Sequence, residues 1–393
     1  MKKIIAFLVL ALVIGGGVYI YFNYVRTGAL RGAIEIATPT KKDIKNFLPQ
    51  GADLYYPLKI PSGFRVGVFA DLGSGKPRVL ALDTNGVLFA SITNEGKVVA
   101  MPDKNNDGKA DEIISVLTDL NRPHGILFYQ GYLYVAETDK VTRYPYDKSS
   151  LKTSLGQELF SLPGGGGHFT RTIKVIDNKL YTSIGSSCNV CAEKDEKRAS
   201  IWVSEPDGSN LRLFAKGLRN TVFFTADSQN RIWGNDMGRD NLGDNLPPDE
   251  LNIISEEDYG WPYCYGQKIR DKDFRSGQAV NYCAETASAA FEYPAHVAPL
   301  GITFIDSELF SPGDQGSILV AFHGSWNSSV PVGYKIVKLS LLGGSVTRME
   351  DFISGFIQDS KVLGRPVDLI FDADGYLYVS DDKAGLVYVV SRN

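Results

Sequence analysis

Short apolar segments alternate with turn-like segments rich in Gly, Asn and Asp along most of the chain. In the recurring pattern, a turn-like entry leads into an apolar strand, a tight turn, and a second strand rich in Leu, Tyr and Val. The copies are KPRVLALDTNGVLFAS from Lys76, RPHGILFYQGYLYVAE from Arg122, RTIKVIDNKLYTSIG from Arg171, LRNTVFFTADSQNRIWGND from Leu218, APLGITFIDSELFSPGDQGSILVAFHG from Ala298 and RPVDLIFDADGYLYVSDD from Arg365. Short apolar runs bounded by turn residues predict β-hairpins.

The spacing of the copies indicates the fold class. Four successive copies are marked by Arg78, His124, Arg171 and Arg219, at intervals of 46, 47 and 48 residues. That period is typical of four-stranded propeller blades, and unrelated hairpins in a β-sandwich would not keep it. The last two intervals are longer and predict insertions. The sequence therefore predicts an all-β, six-bladed β-propeller over residues 60–393.

The last copy is followed by only one more strand, around Leu386–Ser391. This leaves the sixth blade without its outermost strand. The segment Phe64–Ala70 (FRVGVFA) precedes the first copy and is predicted to fill that place. Such closure removes the open sheet edges that favour aggregation.

The N-terminal segment differs from the rest of the chain. Two lysines precede Ile4–Val25, which is apolar apart from Asn23. About 20 apolar residues are enough for a helix to span a membrane. A signal-peptide core is shorter, at about 7–15 residues, and ends in small residues rather than tyrosines. The sequence predicts one transmembrane helix as an uncleaved anchor over 1–26, with a cleaved signal as the alternative. A linker over 27–59 follows.

The four cysteines bear on the compartment. Cys188 and Cys191 form a C-x-x-C, whereas Cys264 and Cys283 are 19 residues apart. Two disulfides are one interpretation, and a zinc site of four thiolates is the other. Zinc ribbons normally repeat the C-x-x-C, and the second pair here does not. Together with the export segment, this favours two disulfides, Cys188–Cys191 and Cys264–Cys283. The protein is then expected outside the cytoplasm, in a periplasm or at a cell surface. The first ring would rim the pocket, relay electrons or merely stiffen a loop.

Charge and composition exclude some partners. The chain has 41 Lys and Arg against 45 Asp and Glu, a net charge of −4. Neither a nucleic-acid surface nor a polybasic membrane patch is therefore implied. Alanine follows Cys191, which excludes C-x-x-C-H haem attachment.

Propeller geometry predicts which residues meet. The first strand of a blade runs along the central channel and the second returns, so residues entering the first strand and leaving the second emerge on one face. The residues expected there are His124, His168, His296, His323, Arg78, Arg219, Asn220, Arg365, Asp236 and Asp381. A mouth lined by histidine and arginine suits a polyanionic small molecule.

Several segments resemble a known family. They are RN at Arg219, PPDELNII from Pro247, DYGWPYCYG from Asp258, and the strings GGGGHFTRT, IGSSCNVC, GNDMGRDNLGDN, HGSWN and GRPVD. Their order and spacing resemble the soluble sugar dehydrogenases that depend on pyrroloquinoline quinone (PQQ), and especially the sorbosone and aldose sugar dehydrogenase group. The resemblance covers roughly residues 60–393.

This resemblance implies a cofactor site with PQQ and Ca²⁺ over the channel mouth. His168 matches the general base that takes the substrate proton while hydride passes to the quinone; alternatively it only bonds loop carbonyls. Arg219 and Asn220 match the pair that holds quinone carboxylates; alternatively Arg219 pairs with Asp236 or Glu250. Further candidates for the cofactor site are Arg365, Asp236, His124, His296 and His323.

The sequence departs from the family pattern at one arginine. Arg365 matches the first arginine of an R-x-R-D motif, but this chain reads Arg-Pro-Val-Asp. The glutamine-bearing loop of the glucose enzymes is also not recognisable. The resemblance therefore implies an aldose or aldehyde sugar without singling out glucose.

Two calcium sites are predicted. The turn Asp236-Met237-Gly238 matches the family's cofactor-calcium loop, so Met237 and Gly238 are expected to offer main-chain oxygens. The second candidate has Asp103, Asn105, Asp107 and Asp111 at positions 1, 3, 5 and 9 of an EF-hand-like loop. Position 12 lacks the usual glutamate, so an ordinary turn is the alternative.

The predicted function is thus PQQ- and Ca²⁺-dependent oxidation of a sugar. Because the chain has neither a haem motif nor a G-x-G-x-x-G after a strand, it needs a separate electron acceptor, a quinone or a cytochrome. One alternative is a calcium-dependent lactone hydrolase using Asp236 and Asn220. The other is a non-catalytic binding propeller, which the missing arginine favours.

Overall fold

Six antiparallel sheets make up most of a computed structural model, which describes residues 58–274 and 281–392. The innermost strand of each sheet contacts that of the next, and the last contacts the first, so the sheets close into a ring. The predicted six-bladed β-propeller is confirmed.

The strands are numbered along the chain, and β1 (Phe64–Asp71) comes first. Blade 1 contains β2 (Pro77–Leu82), β3 (Leu88–Ile92), β4 (Lys97–Met101) and β5 (Ile114–Leu117). Blade 2 contains β6 (Ile126–Tyr129), β7 (Tyr132–Ala136), β8 (Lys140–Asp147), the short β9 (Lys152–Thr153) and β10 (Gln157–Ser161). Blade 3 contains β11 (Arg171–Ile176), β12 (Lys179–Ile184), β13 (Ser200–Ser204) and β14 (Arg212–Lys216).

Blade 4 contains β15 (Thr221–Ala226), β16 (Ile232–Asp236), β17 (Asp249–Ile254) and β20 (Phe291–Tyr293). An insertion between β17 and β20 contains β18 (Cys264–Tyr265), β19 (Ile269–Arg270) and helix α1 (Tyr282–Glu285). Blade 5 contains β21 (Pro299–Phe304), β22 (Ile318–Phe322), β23 (Lys335–Leu342) and β24 (Ser345–Ile353). The hairpin β25 (Ile357–Gln358) and β26 (Lys361–Val362) then leads to blade 6, with β27 (Pro366–Phe371), β28 (Leu377–Asp381) and β29 (Leu386–Arg392). Short 3₁₀ turns lie at Thr93–Glu95 and Pro312–Asp314.

The sixth blade is closed by the first strand. β1 pairs antiparallel with β29, from Phe64 opposite Arg392 to Asp71 opposite Leu386. The order in that sheet is β1-β29-β28-β27. This confirms that the segment before the first copy supplies the missing strand.

Close packing between blades explains the continuous apolar runs. β3 and β22 are buried at every residue, because both faces of an inner strand lie against neighbouring blades. At Gly125, an added Cβ would lie 2.6 Å from the carbonyl oxygen of Arg171 in the next blade. Gly301 has the same relation to Val367 O. Glycine therefore allows these inner strands to approach.

Both predicted insertions are present, around α1 and at β25–β26. The first is clamped by a disulfide between Cys264 and Cys283. The predicted anchor over 1–26 lies outside the described residues, as does the linker up to residue 57. Within the described part of the chain, no helix has the length and apolar character needed to cross a membrane.

Candidate functional site

A cavity of about 470 Å³ lies where several first strands begin and second strands end. Five of the six blades contribute to its walls. Its basic and histidine residues are Arg78, His168, Arg219, His296, His323 and Arg365. This volume is within the range of small-molecule sites, about 300–1,000 Å³.

His124 lies apart from the other three histidines. Its side chain is fully buried and does not line the cavity. Nδ1 is 3.3 Å from Arg171 O and 3.2 Å from the Thr172 hydroxyl. The ring packs against Phe223, and burial lowers the pKa of His124 well below its ordinary value. All four histidines were predicted at the mouth; three of them line the cavity there, whereas His124 lies beneath it.

The imidazole of His168 has a defined orientation. Nδ1 is 3.1 Å from the carbonyl oxygen of Ser186 and 2.9 Å from its hydroxyl oxygen. That hydroxyl donates its proton to Cys188 O at 2.7 Å, so it accepts from Nδ1. Both partners require Nδ1 to carry the hydrogen. Nε2 is therefore the basic nitrogen, and within the described residues it has no hydrogen-bond partner.

Two buried arginines hold the loop before His168. Arg171 donates to the carbonyl oxygens of His168 at 3.0 Å and Pro163 at 2.8 Å. Arg198 donates to the same two oxygens at 3.2 and 2.9 Å. Gly167 has φ +52°, and an added Cβ would lie 2.3 Å from the backbone of Ser187. Glycine is therefore required where the loop turns toward the base.

The surroundings of His168 keep it neutral. Burial, followed by the positive charge of Arg219, lowers its pKa to about 3, and Arg198 and Arg171 add to the effect. A neutral imidazole with an open Nε2 is chemically suited to accept a proton.

Arg219 is held mainly by one neighbouring loop. Its Nε donates to Asn189 O at 2.9 Å, and a terminal nitrogen donates to Asn189 Oδ1 at 2.9 Å. The other terminal nitrogen, Nη1, donates to Met237 O at 3.2 Å. Nη2, which bonds Asn189 Oδ1, is also 3.5 Å from Asp240 Oδ2. The guanidinium therefore pairs with Asp240, and not with Asp236 or Glu250 as the structural alternative required.

Asp236 supports the site from behind. Its carboxylate accepts from Arg219 N at 2.9 Å, Asn220 N at 2.7 Å and the Thr221 hydroxyl at 3.0 Å. Burial raises its pKa to about 6. Because these bonds occupy it and it does not line the cavity, Asp236 is not placed to contact a ligand there, nor to share a metal with Asn220 as the hydrolase alternative required.

Asn220 lines the cavity and offers an acceptor. Its Oδ1 is buried and has no hydrogen-bond partner among the described residues, while its nitrogen lies 3.5 Å from Met237 Sδ. A buried acceptor without a partner costs about 1–3 kcal/mol.

The opposite wall contains a charged chain that sequence reasoning missed in part. Arg78 donates to Asp382 at 2.6 Å, and the other oxygen of Asp382 is 2.9 Å from His323 Nε2. Arg365 Nε donates to His323 O at 3.0 Å. Burial and the charge of Arg365 lower the pKa of His323 to about 4. Asp382 directly follows Asp381, which was predicted on this face. That neighbouring position is the one feature of the sequence that could have indicated Asp382 as a site residue.

A loop between β22 and β23 forms the rim. Trp326 lines the cavity and is 68% exposed, and Asn327 beside it donates to Asp240 Oδ1 at 2.8 Å. His296 also lies here, with Nε2 2.7 Å from Gly243 O. Trp326, Asn327 and Asp240 were not predicted, although the first two belong to the HGSWN string.

The cysteines are paired as predicted. Cys188–Cys191 and Cys264–Cys283 both form disulfides, so no thiolate remains for the zinc alternative in the described chain. Among the described residues, the one group of three side-chain metal ligands is Cys188, Cys191 and Glu193, and both of its sulfurs are in the disulfide.

The predicted calcium ligands lie in two places. Met237 and Gly238 line the channel-mouth cavity. Asp103 accepts instead from the backbone of its own loop, at Asp107 N (3.2 Å) and Gly108 N (2.9 Å). That loop borders a larger cavity of about 670 Å³, which contains none of the histidines. The smaller cavity is therefore the better candidate for the chemistry.

The sequence matches the TrAA12-like family over residues 58–393, a range that includes all of the described residues. The chain belongs to the TrAA12-like family.

Two relatives each match most of this TrAA12-like chain. This chain is 34% identical over 352 residues to an uncharacterized protein of Borreliella burgdorferi, and the match covers 85% of this chain and 90% of that protein. It is 26% identical over 410 residues to the PQQ-dependent pyranose dehydrogenase of Coprinopsis cinerea, covering 86% of this chain and 55% of the relative. The chain thus spans about half the length of that enzyme.

A solved structure supports the same fold. The holo form of the pyranose dehydrogenase PQQ domain from Coprinopsis cinerea superimposes with a TM-score of 0.73 at 24% identity, covering 87% of this chain and 98% of that domain. The resemblance to PQQ-dependent sugar dehydrogenases predicted from the motifs is confirmed by these relatives.

Proposed function

We propose that this TrAA12-like propeller is a PQQ-dependent dehydrogenase that oxidises an aldose or an aldehyde sugar. The observation that carries the proposal is His168, which presents an open Nε2 to a cavity lined by three arginines. The relatives that use PQQ on sugars support the assignment of cofactor and substrate class.

The described residues fit a polyanionic quinone. Arg78, Arg219 and Arg365 all line the cavity, and arginine is suited to bind carboxylates through two nitrogens. Asn220 also lines the cavity, and its amide can add a neutral hydrogen bond to a bound quinone. Arg78 also offers a second cation in place of the arginine that is missing from the R-x-R-D motif. It is linked to Arg365 through His323: Asp382 joins Arg78 to the imidazole, and Arg365 donates to the carbonyl oxygen of His323.

In the proposed reaction, His168 Nε2 takes the proton of the substrate hydroxyl. Ser186 holds the Nδ1 hydrogen throughout, so the ring cannot turn its protonated nitrogen toward the substrate. A bound quinone would supply the acceptor for the two electrons and the hydrogen removed from the sugar carbon. Bound carboxylates would offset the charge of Arg219 and make protonation of His168 easier, which suits a base.

Calcium is part of the proposal. The main-chain oxygens of Met237 and Gly238 would contribute to the cofactor ion, and the Asp103 loop with Asn105, Asp107 and Asp111 would hold a structural one. Calorimetric titration with Ca²⁺ would then give two sites, one of which depends on the quinone. Replacing Asp107 with asparagine should weaken only the quinone-independent site.

Reconstitution tests the function directly. The full chain, freed of metal, is mixed with PQQ and Ca²⁺, and the absorption spectrum is followed as aldoses are added. Reduction of the bound quinone by sugar is the expected result. Binding of PQQ without reduction by any aldose or aldehyde sugar would favour a binding propeller, and lactone hydrolysis without PQQ would favour a hydrolase.

Trp326 is expected to stack on the sugar ring at the rim. Trp326→Ala should raise KM about 3- to 10-fold with little change in kcat, because aromatic stacking contributes about 0.5–1.5 kcal/mol. Steady-state kinetics with saturating quinone measures both constants. Val330→Ala is the matched control, since Val330 is 67% exposed in the same loop but does not line the cavity. An unchanged KM in Trp326→Ala would place the sugar elsewhere.

We further propose that the propeller lies outside the cytoplasm, anchored by residues 1–26, and passes electrons to a separate quinone or cytochrome. Both disulfides suit an oxidising compartment. Protease added to intact cells or spheroplasts should release the propeller, and mass mapping without reductant should recover both cysteine pairs. A protected domain, or one with four free thiols, would contradict this location.

A further inference from the structure

The C-x-x-C ring at residues 188–191 contacts Arg219 directly and reaches His168 through the hydroxyl of Ser186. We propose that this disulfide ring is a positioning device that sets the orientation of His168 and of Arg219 together. The proposal rests on the proposed function, because it assigns these two residues to proton removal and quinone binding.

One contact reaches the base. The Ser186 hydroxyl donates to Cys188 O at 2.7 Å and lies 2.9 Å from His168 Nδ1. A hydroxyl has a single hydrogen, so its donation to Cys188 O fixes it as an acceptor toward the imidazole. If Cys188 O moved away, the Ser186 hydroxyl would be free to rotate, and one of the two bonds that orient the imidazole of His168 would be lost.

A second set of contacts reaches the arginine. Asn189, inside the ring, accepts from Arg219 through both its main-chain oxygen and Oδ1, each at 2.9 Å. Its side chain is itself fixed, because Oδ1 also accepts from Asp240 N at 2.8 Å. The guanidinium, whose side chain is 5% exposed, thus takes its plane from a residue inside the ring.

The ring needs the disulfide to keep this shape. Outside the S–S bond, its flank is held by Glu193, which accepts from Ser187 N and the Ser187 hydroxyl, both at 2.7 Å. Residues 187–191 are all partly exposed, so water can reach the outer side of the segment and compete for the bonds made there. The covalent link removes alternative conformations that these bonds would not exclude by themselves.

The first experiment opens the ring in the full chain. Cys188→Ser/Cys191→Ser is compared with Cys264→Ser/Cys283→Ser, which removes the other disulfide. In quinone-free protein with ¹⁵N-labelled histidine, the first variant should shift and broaden the signals of His168 and leave the other three histidines nearly unchanged. PQQ affinity, from titration of the apoprotein, should fall at least about 10-fold in the first variant and stay within about 2-fold in the second.

Two single variants that keep both disulfides separate the contacts. Asn189→Ala should weaken PQQ binding about 10-fold while the His168 signals stay close to those of the wild type, and Asn189→Asp, which keeps the acceptor oxygens, should restore part of that affinity. Ser186→Ala should move the His168 signals and shift the pH profile of kcat, with PQQ affinity retained. These variants also test the proposal if the ring-opened protein does not fold.

The outcomes distinguish the two proposals. Wild-type protein that binds no PQQ would overturn the proposed function, while the histidine signals would still report whether the ring orients His168. Wild-type protein that binds PQQ, with ring-opened and Asn189→Ala proteins that match it in affinity and in histidine signals, would overturn the positioning role alone.

Discussion

Replacing His168 with asparagine is expected to lower kcat about 10²–10⁴-fold, the usual contribution of a general base. The asparagine amide can still donate to Ser186 from the position of Nδ1, but it has no basic nitrogen in place of Nε2. Quinone affinity should therefore stay within about 2-fold of the wild type. Stopped-flow reduction of the bound quinone by sugar measures the chemical step directly.

His168→Gln is the complementary variant. Its amide nitrogen reaches toward the position of Nε2 and gives up the Ser186 contact, so it should be as inactive as His168→Asn. If either variant reduced bound quinone at a near-normal rate, the proton would go to another group, and His323 with its Asp382 partner would be the next candidate.

Arg219→Lys is expected to weaken PQQ binding about 10- to 100-fold. Lysine keeps the positive charge but loses the planar guanidinium. The guanidinium donates to Asn189 and Met237 from all three nitrogens and still has N–H groups left for a ligand. Fluorescence titration of the apoprotein with PQQ measures the dissociation constant. Thermal unfolding of the same samples shows how much of the effect is loss of structure.

Arg239→Lys is the matched control for that variant. Arg239 is also a largely covered arginine, with a side chain that is 10% exposed and pairs with Asp271 at 2.8 Å, but it does not line the channel-mouth cavity. It should lose stability similarly and keep its affinity for PQQ. Equal affinities in the two variants would move Arg219 into a purely structural role.

Much of the fold follows from periodicity. The near-constant spacing of Arg78, His124, Arg171 and Arg219 reflects one blade per repeat, since each hairpin must pair with the next to bury its apolar faces. The strand count of the last copy was enough to predict that β1 closes the ring. The bounds of the insertions were not predictable, because they depend on tertiary contacts and on the Cys264–Cys283 bridge.

Less of the site could be predicted. The entry positions predicted which residues approach the mouth, but not the direction of each side chain, so His124 was assigned to a surface that it lies beneath. Contacts between blades carry no local signal: Arg78 and Asp382 meet across 304 residues of sequence. Asn189 lies within the IGSSCNVC string, but its contact with Arg219 in the next blade could not be predicted from that string.

The pairing of β1 with β29 has a consequence for biosynthesis. β1 leaves the ribosome before the other strands of the propeller and must wait for β29, because among the described residues β29 is the one strand that pairs with it. One wall of the cavity also depends on Asp382, close to the end of the chain. A chain that stops before Asp382 would therefore lose ring closure and that wall together, so the cavity is completed only after Asp382 and β29 have been made.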